Sequence, residues 1–137
     1  MKNKVLLAAL VGGVVSFFAG WVIFGMIMPQ IAGEMPQGME KDPPEMWALV
    51  VGNLVWGLFY ALLFDRLSVS SLQSGAMNGA WIGLMIALGV DLIMYATMTI
   101  MPLKIVMIDP LITGIYAAIT GAAVGWMLGY NNKPATA

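Results

Sequence analysis

Four long apolar stretches, almost free of charge and separated by polar interruptions, set the pattern of this chain. They cover residues 5–28, 46–64, 75–100 and 105–130. An α-helix rises about 1.5 Å per residue, so about 20 apolar residues cross about 30 Å of hydrocarbon. The pattern predicts an all-α fold: a four-helix transmembrane bundle forming a single membrane domain over residues 1–137. The first interruption, from Pro29 to Glu45, holds four prolines and the acids Glu34, Glu40, Asp42 and Glu45. It reads as a loop. Asp65 and Arg66 open a short polar connection through Ser74. Met101-Pro102-Leu103-Lys104 reads as a tight turn, and Asn131 to Ala137 as a polar tail.

Composition sharpens this reading. The chain is 61% hydrophobic and 9% charged, against about 45–50% and about 25% in soluble domains. Lipid covers apolar surface that a soluble domain of this length has no interior to hide. Lys2 and Lys4 precede the first apolar run, as in a secretory signal. That run is too long for a signal core and no small-residue cleavage site follows it, so it reads as a retained span. Lys2, Lys4, Arg66 and Lys133 fall on one side of a four-span topology, and Lys41 and Lys104 on the other. The positive-inside rule then places both termini inside, in a cytoplasmic (inner) membrane, with the acidic loop outside. Trp47 and Tyr130 fall where interfacial aromatic residues belong.

Chemistry is constrained by absences in the sequence. With no cysteine and no histidine, disulfides, thiolate chemistry, histidine-held haem or zinc, and Ser-His or Cys-His catalysis are excluded. A net charge of −1 gives no basic surface for nucleic acid. No cofactor and no metal are expected. The expected partners are the lipid bilayer and either further copies of the chain or subunits of a larger membrane complex.

Helices in lipid associate by close backbone approach through small residues. Each span carries small residues at four-residue spacing: Ala8, Gly12, Ser16 and Gly20; Asn53, Gly57 and Ala61; Gly75, Gly79 and Gly83, with Ala87 next; and Gly121, Gly125 and Gly129. On a helical wheel of the fourth span, Gly114, Ala118, Gly121, Gly125 and Gly129 fall within about 80° of one another. Asp109, Thr113, Tyr116 and Thr120 fall within about 60°, nearly opposite. A helix with two such faces is either central in its bundle or offers its glycine face to another subunit.

Asp91 lies deep in the third apolar stretch, where an ionised carboxylate costs on the order of 3 kcal/mol. Counting from the span ends, Asp91, Asn53, Asp109 and Trp21 come into one layer of the outer half. Tyr95 lies one turn outward from Asp91, and Thr113 one turn inward from Asp109. Two readings stand side by side. One is a polar cavity centred on Asp91 that takes up a proton, a cation or a small polar ligand. The other is a protonated Asp91 hydrogen-bonded to Asn53 or Tyr95 to fix the bundle. Asp109 precedes Pro110 near the start of its span, where a carboxylate caps free N–H groups.

Methionine is abundant, with 13 copies. Met94 and Met98 share a face, and Met35 and Met39 lie in the loop. Thioethers bind Cu(I), although methionine is also a common apolar filler. Two aspartates on neighbouring helices also suggest an intramembrane aspartyl dyad that activates water. Four spans resemble the lipoprotein signal peptidases in number and topology. The contexts Gly89-Val90-Asp91-Leu92 and Ile108-Asp109-Pro110 match neither their motifs nor the Gly-x-Gly-Asp of presenilin-type proteases.

Pro102-Leu103-Lys104, then Ile108-Asp109, then the small-residue run through Gly121 and Gly125-Trp126, resembles the last span of small bacterial four-helix membrane proteins grouped as domain of unknown function 1761. Gly20-Trp21 with Phe24-Gly25 fits the same pattern. The resemblance implies a four-span fold and transfers no activity and no catalytic residue. Two function classes remain. One is a non-enzymatic bundle acting through self-association or as a subunit. The other is a small-solute or proton-linked carrier or receptor built around Asp91.

Overall fold

A computed structural model describes residues 3–33, 41, 43–99 and 102–130. Lys2, Lys133, Glu34, Glu40, Asp42, Met35, Met39 and Met101, which bear on orientation, the loop and copper, lie outside the described residues. Among the described residues there are five α-helices: α1 (Asn3–Gly20), α2 (Met28–Ala32), α3 (Met46–Arg66), α4 (Leu72–Thr97) and α5 (Leu103–Gly129). A π-helical stretch, Trp21–Ile27, joins α1 to α2, so these three pieces form one continuous span. Four helices are therefore long and apolar enough to cross a membrane. This is the all-α bundle of a multi-pass membrane protein.

The ends of these elements follow from local chemistry. Pro29 has no N–H, and its ring clashes with the carbonyl four residues back, that of Gly25. Widening to π geometry accommodates this, and the Met28 N–H bonds to the Ile23 carbonyl five residues earlier. α3 extends through Asp65 and Arg66, two residues beyond the apolar run. It closes with Ser68 at φ 60°, the Val69 N–H on the Phe64 carbonyl at 2.9 Å and the Ser68 N–H on the Asp65 carbonyl at 3.4 Å. These are the paired bonds of a Schellman cap. Asp65 and Arg66 therefore belong to the last turn of a helix, where the Arg66 charge suits the helix dipole, and not to the connection. α4 begins at Leu72, three residues before Gly75. The Ser71 side chain caps it by accepting from the Ser74 N–H at 3.1 Å.

α5 is the central helix. It packs along α4, against α1, and to a lesser extent against α3, while α3 lies mainly on α1. The core joins Val5, Ala8 and Ala9 of α1 to Tyr60, Ala61 and Phe64 of α3 and to Ala117, Val124 and Leu128 of α5. Ile82 of α4 and Val69 complete it. Around this core the surface carries large apolar side chains, among them Leu10, Phe18, Val55, Met85, Ile93, Met107 and Ile115. Such a surface suits hydrocarbon and is rare in water.

Candidate functional site: a carboxyl pair at the end of a glycine seam

The α4–α5 contact runs backbone to backbone. A Cβ on Gly75 would collide with the carbonyl oxygen of Gly121, one on Gly79 with that of Ala117, and one on Gly83 with the Ala117 methyl. In return, a Cβ on Gly121 would strike the Gly75 carbonyl, one on Gly125 the Ser71 carbonyl, and one on Gly129 the Ser70 carbonyl. The glycines therefore work within the chain. Gly121 and Gly125 are buried against the start of α4 and are not available to another subunit, and Gly129 lies against Ser70 just ahead of α4.

The register of this seam brings two acids together. The helices run antiparallel, and each four-residue step along α4 is matched by a four-residue step back along α5. Continuing the α4 row gives Gly75, Gly79, Gly83, Ala87 and Asp91, all buried. Continuing the α5 row gives Gly129, Gly125, Gly121, Ala117, Thr113 and Asp109. The two rows end together, so Asp91 and Asp109 stand opposite each other at the last step of the seam. Both residues are six positions from the connection between α4 and α5, a depth of about 9 Å. The separation of glycine and polar faces on α5 expected from a straight wheel does not hold. Rows spaced by four residues turn about 40° per step around a helix, and an obliquely crossing partner follows them. One seam therefore carries both the glycines and Asp109.

Asp91 is 6% exposed, and its Oδ2 is buried without a hydrogen-bond partner. Asp109 is half-buried. It is not a cap: α5 starts at Leu103 behind Pro102, and no side chain caps it. Among the described residues the only ion pair joins Lys41 to Glu45, so neither carboxyl has a basic partner there. Lys104 is exposed.

The remaining members of the expected layer lie elsewhere. Asn53 belongs to a separate node. The Ser16 hydroxyl donates to Asn53 Oδ1 at 2.9 Å, with the Gly13 carbonyl at 3.0 Å as an alternative acceptor. The Tyr116 hydroxyl donates to the same Oδ1 at 3.1 Å, and Asn53 Nδ2 donates to the Leu49 carbonyl at 2.7 Å. This node ties α1, α3 and α5 together at the level of Tyr116, seven residues or about 10 Å along α5 from Asp109. Trp21 neighbours Gly20, which lies against the Tyr116 ring, and at 59% exposed it faces outward. Tyr95 is 46% exposed and forms no hydrogen bond to Asp91. Thr113 is half-buried on the seam, its carbonyl beside Gly83.

Counting residues inward misplaced this layer because the spans do not begin level with one another. The first span alone continues to Ala32. Ser16 was visible in the sequence only as a small residue of the α1 row, and its hydroxyl is the link to Asn53 that the count missed. Gly114 and Ala118 are also off the tight seam. Gly114 makes ordinary contacts with the Ala80 carbonyl and Leu84. Both line an open groove of about 690 Å³ with Ala80, Met77, Trp81 and Leu111. A second groove, lined by Gly13, Phe17 and Leu54 among others, lies between α1 and α3. Neither groove includes Asp91. No family model, no curated protein and no solved structure matches this chain.

Proposed function

We propose that the protein is a proton-linked membrane bundle whose working site is the Asp91–Asp109 pair. The observation that carries this reading is a buried carboxyl whose Oδ2 has no hydrogen-bond partner, at the step of the seam where a second acid stands opposite, with no ion pair to either acid among the described residues. Two such groups fit together when one holds a proton and donates it to the other. Removing that proton sets two negative charges side by side in a poorly polarisable medium. The repulsion is then on the order of a few kcal/mol. It acts at the end of the seam nearest the α4–α5 connection, whereas the glycine contacts hold the other end. Proton binding therefore biases how closely α4 and α5 approach beside Asp91, which is the response a proton-linked carrier or receptor requires.

The surroundings support this assignment. On α4, Tyr95 points outward. On α5, Lys104 is exposed, and Tyr116 is engaged with Asn53. Tyr60 of α3 brings its hydroxyl towards Gly83, two turns away from Asp91. Among the described residues no other titratable group competes for the pair.

The test is proton uptake by the protein in liposomes after an acid step, followed with a pH-indicating dye. The wild type should take up about one proton per chain at this site, and Asp91→Asn should take up none there. Equal uptake by both proteins would sink the reading.

A second reading, association with another copy of the chain, has one feature in its favour. Gly114, Ala118 and Ala80 floor a groove that α4 and α5 leave uncovered, and small residues at four-residue spacing are what membrane helices pack upon. Gly114→Leu should then shift the oligomeric mass seen by native mass spectrometry in detergent.

A further inference from the structure

We infer that the groove between α4 and α5 is covered by the same groove of a second copy of the chain, with the two Asn78 side-chain amides exchanging hydrogen bonds across a two-fold axis. This rests on the association reading of that groove, is independent of the acid pair, and adds the contact that selects the partner.

Asn78 lines the groove, six residues in from the first residue of α4, a depth of about 9 Å. Two contacts fix which way its amide points. Nδ2 donates to the Ser74 carbonyl at 2.8 Å, and Oδ1 accepts the Trp81 indole N–H at 3.3 Å. A side-chain amide has two N–H donors and an oxygen with two acceptor sites. One donor and one acceptor are therefore used, and among the described residues one of each is left over. Acyl chains offer neither donor nor acceptor, and water is scarce at this depth. A spare donor and a spare acceptor on the same group are satisfied together by an identical group across a two-fold axis. Such an axis is the commonest in homo-oligomers, and across it one patch meets itself. Copies inserted in the same orientation share an axis along the membrane normal, so both Asn78 residues lie at one depth without adjustment.

The shape agrees with this occupant. Ala80, Gly114 and Ala118 floor the groove, and Met77, Trp81, Leu111 and Ile115 beside them are each more than half exposed. Large edges around a small floor let an edge of each copy enter the groove of the other, and membrane helices pack closely on small residues. The groove between α1 and α3 is lined by Gly13 and apolar side chains alone, so nothing in it prefers a second copy to lipid.

The experiment is native mass spectrometry of the full chain in detergent over a range of protein concentrations. The wild type should form a concentration-dependent dimer. Asn78 is only half-buried, so Asn78→Leu should fold, and it should weaken the dimer roughly 10-fold. Asn78→Gln keeps the donor and the acceptor and should recover most of that loss. Should Asn78→Leu fail to fold, cysteine cross-linking decides, since the chain has no cysteine of its own. Met77→Cys should then cross-link to its counterpart under mild oxidation, and Val90→Cys, exposed on α4 outside the groove, should not. Equal loss in Asn78→Leu and Asn78→Gln would trace the effect to shape and overturn the amide exchange. A dimer broken by Gly114→Leu but kept in Asn78→Leu would overturn it too, and would leave association through the groove standing. A wild-type monomer carrying bound phospholipid would give the groove to an acyl chain and remove both.

Discussion

Two polar clusters sit inside this bundle, and they differ in how completely they are satisfied. In the Ser16–Asn53–Tyr116 node every side-chain donor has an acceptor: two hydroxyls converge on one amide oxygen, and the amide N–H₂ turns back to the Leu49 carbonyl. It links three helices with neutral groups and asks nothing of the surroundings. In the Asp91–Asp109 pair two acids stand opposite each other without a base, and one oxygen is left orphaned. A satisfied neutral network fixes a bundle, whereas an incomplete acidic one calls for a proton. Depth in the membrane does not separate the two, since both are at least partly buried. Complementarity does.

The largest effect expected bears on the seam that delivers the acids to each other. Gly121→Leu should abolish the α4–α5 approach, because even a Cβ there collides with the Gly75 carbonyl and comes within 3.0 Å of the Gly79 Cα. Backbone cannot yield as a flexible side chain does, so a loss of more than about 3 kcal/mol is expected. Thermal melting in detergent checks it. Gly89→Leu is the control: it is also a glycine of α4, but no atom lies within 4 Å of its would-be Cβ. Its melting temperature should stay near the wild type. If both variants melted alike, close packing would not be what sets the register.

That seam was also where the sequence was most and least legible. The four helices could be read from hydropathy alone, because lipid makes a span an unbroken apolar run. The row Gly75, Gly79, Gly83 and Ala87 was legible too. Its next member, Asp91, was visible in the same row, as was Asp109 at the end of the row through Thr113, Ala117 and Gly121. Aligning the two rows antiparallel from the short α4–α5 connection brings the acids together. A straight wheel hid this, because it treats a helix face as a line parallel to the axis. Asn53 was placed wrongly for a different reason. Depth counted from a span's end says nothing of azimuth, and Ser16 had been read for its size and not its hydroxyl.

The satisfied node should respond to loss of its acceptor. Asn53→Ala leaves the Ser16 hydroxyl with the backbone carbonyls of Gly13 and residue 53, and takes the acceptor from the Tyr116 hydroxyl. A cost of about 1–3 kcal/mol follows from the one half-buried donor left without an acceptor. Tyr116→Phe removes one donor and keeps the ring against Phe24 at 5.2 Å, so about 1 kcal/mol is expected. Neither variant should change proton uptake. A loss of uptake in Asn53→Ala would join the two clusters into one site and end the contrast between them.

Asp91→Asn should cost less than Asn53→Ala, because the amide is close in size to the carboxyl, brings an N–H donor to the side of the helix that faces Asp109, and removes one of two like charges. Stability within about 1 kcal/mol of wild type is expected. The informative change is in pH dependence. The wild-type melting temperature should vary between about pH 5 and about pH 9 as the pair gains or loses its proton, and the variant should lose that component. Identical profiles would show that Asp91 does not titrate.

The smallest effect belongs to the residues that the residue count had placed beside Asp91. Tyr95 follows it by one turn, yet its side chain faces outward with no hydrogen bond to the acid. Trp21 faces outward on the first span. Tyr95→Phe deletes a hydroxyl that reaches no partner within the bundle, so stability should move by no more than about 0.5 kcal/mol. Proton uptake should be unaltered, because neither the geometry of the carboxyls nor their solvation changes. An altered uptake in this variant would mean that Tyr95 turns inward when the proton leaves and replaces the lost hydrogen bond with its own. The two clusters would then differ in timing and not in kind: the node is complete at all times, and the pair becomes complete only in its other state.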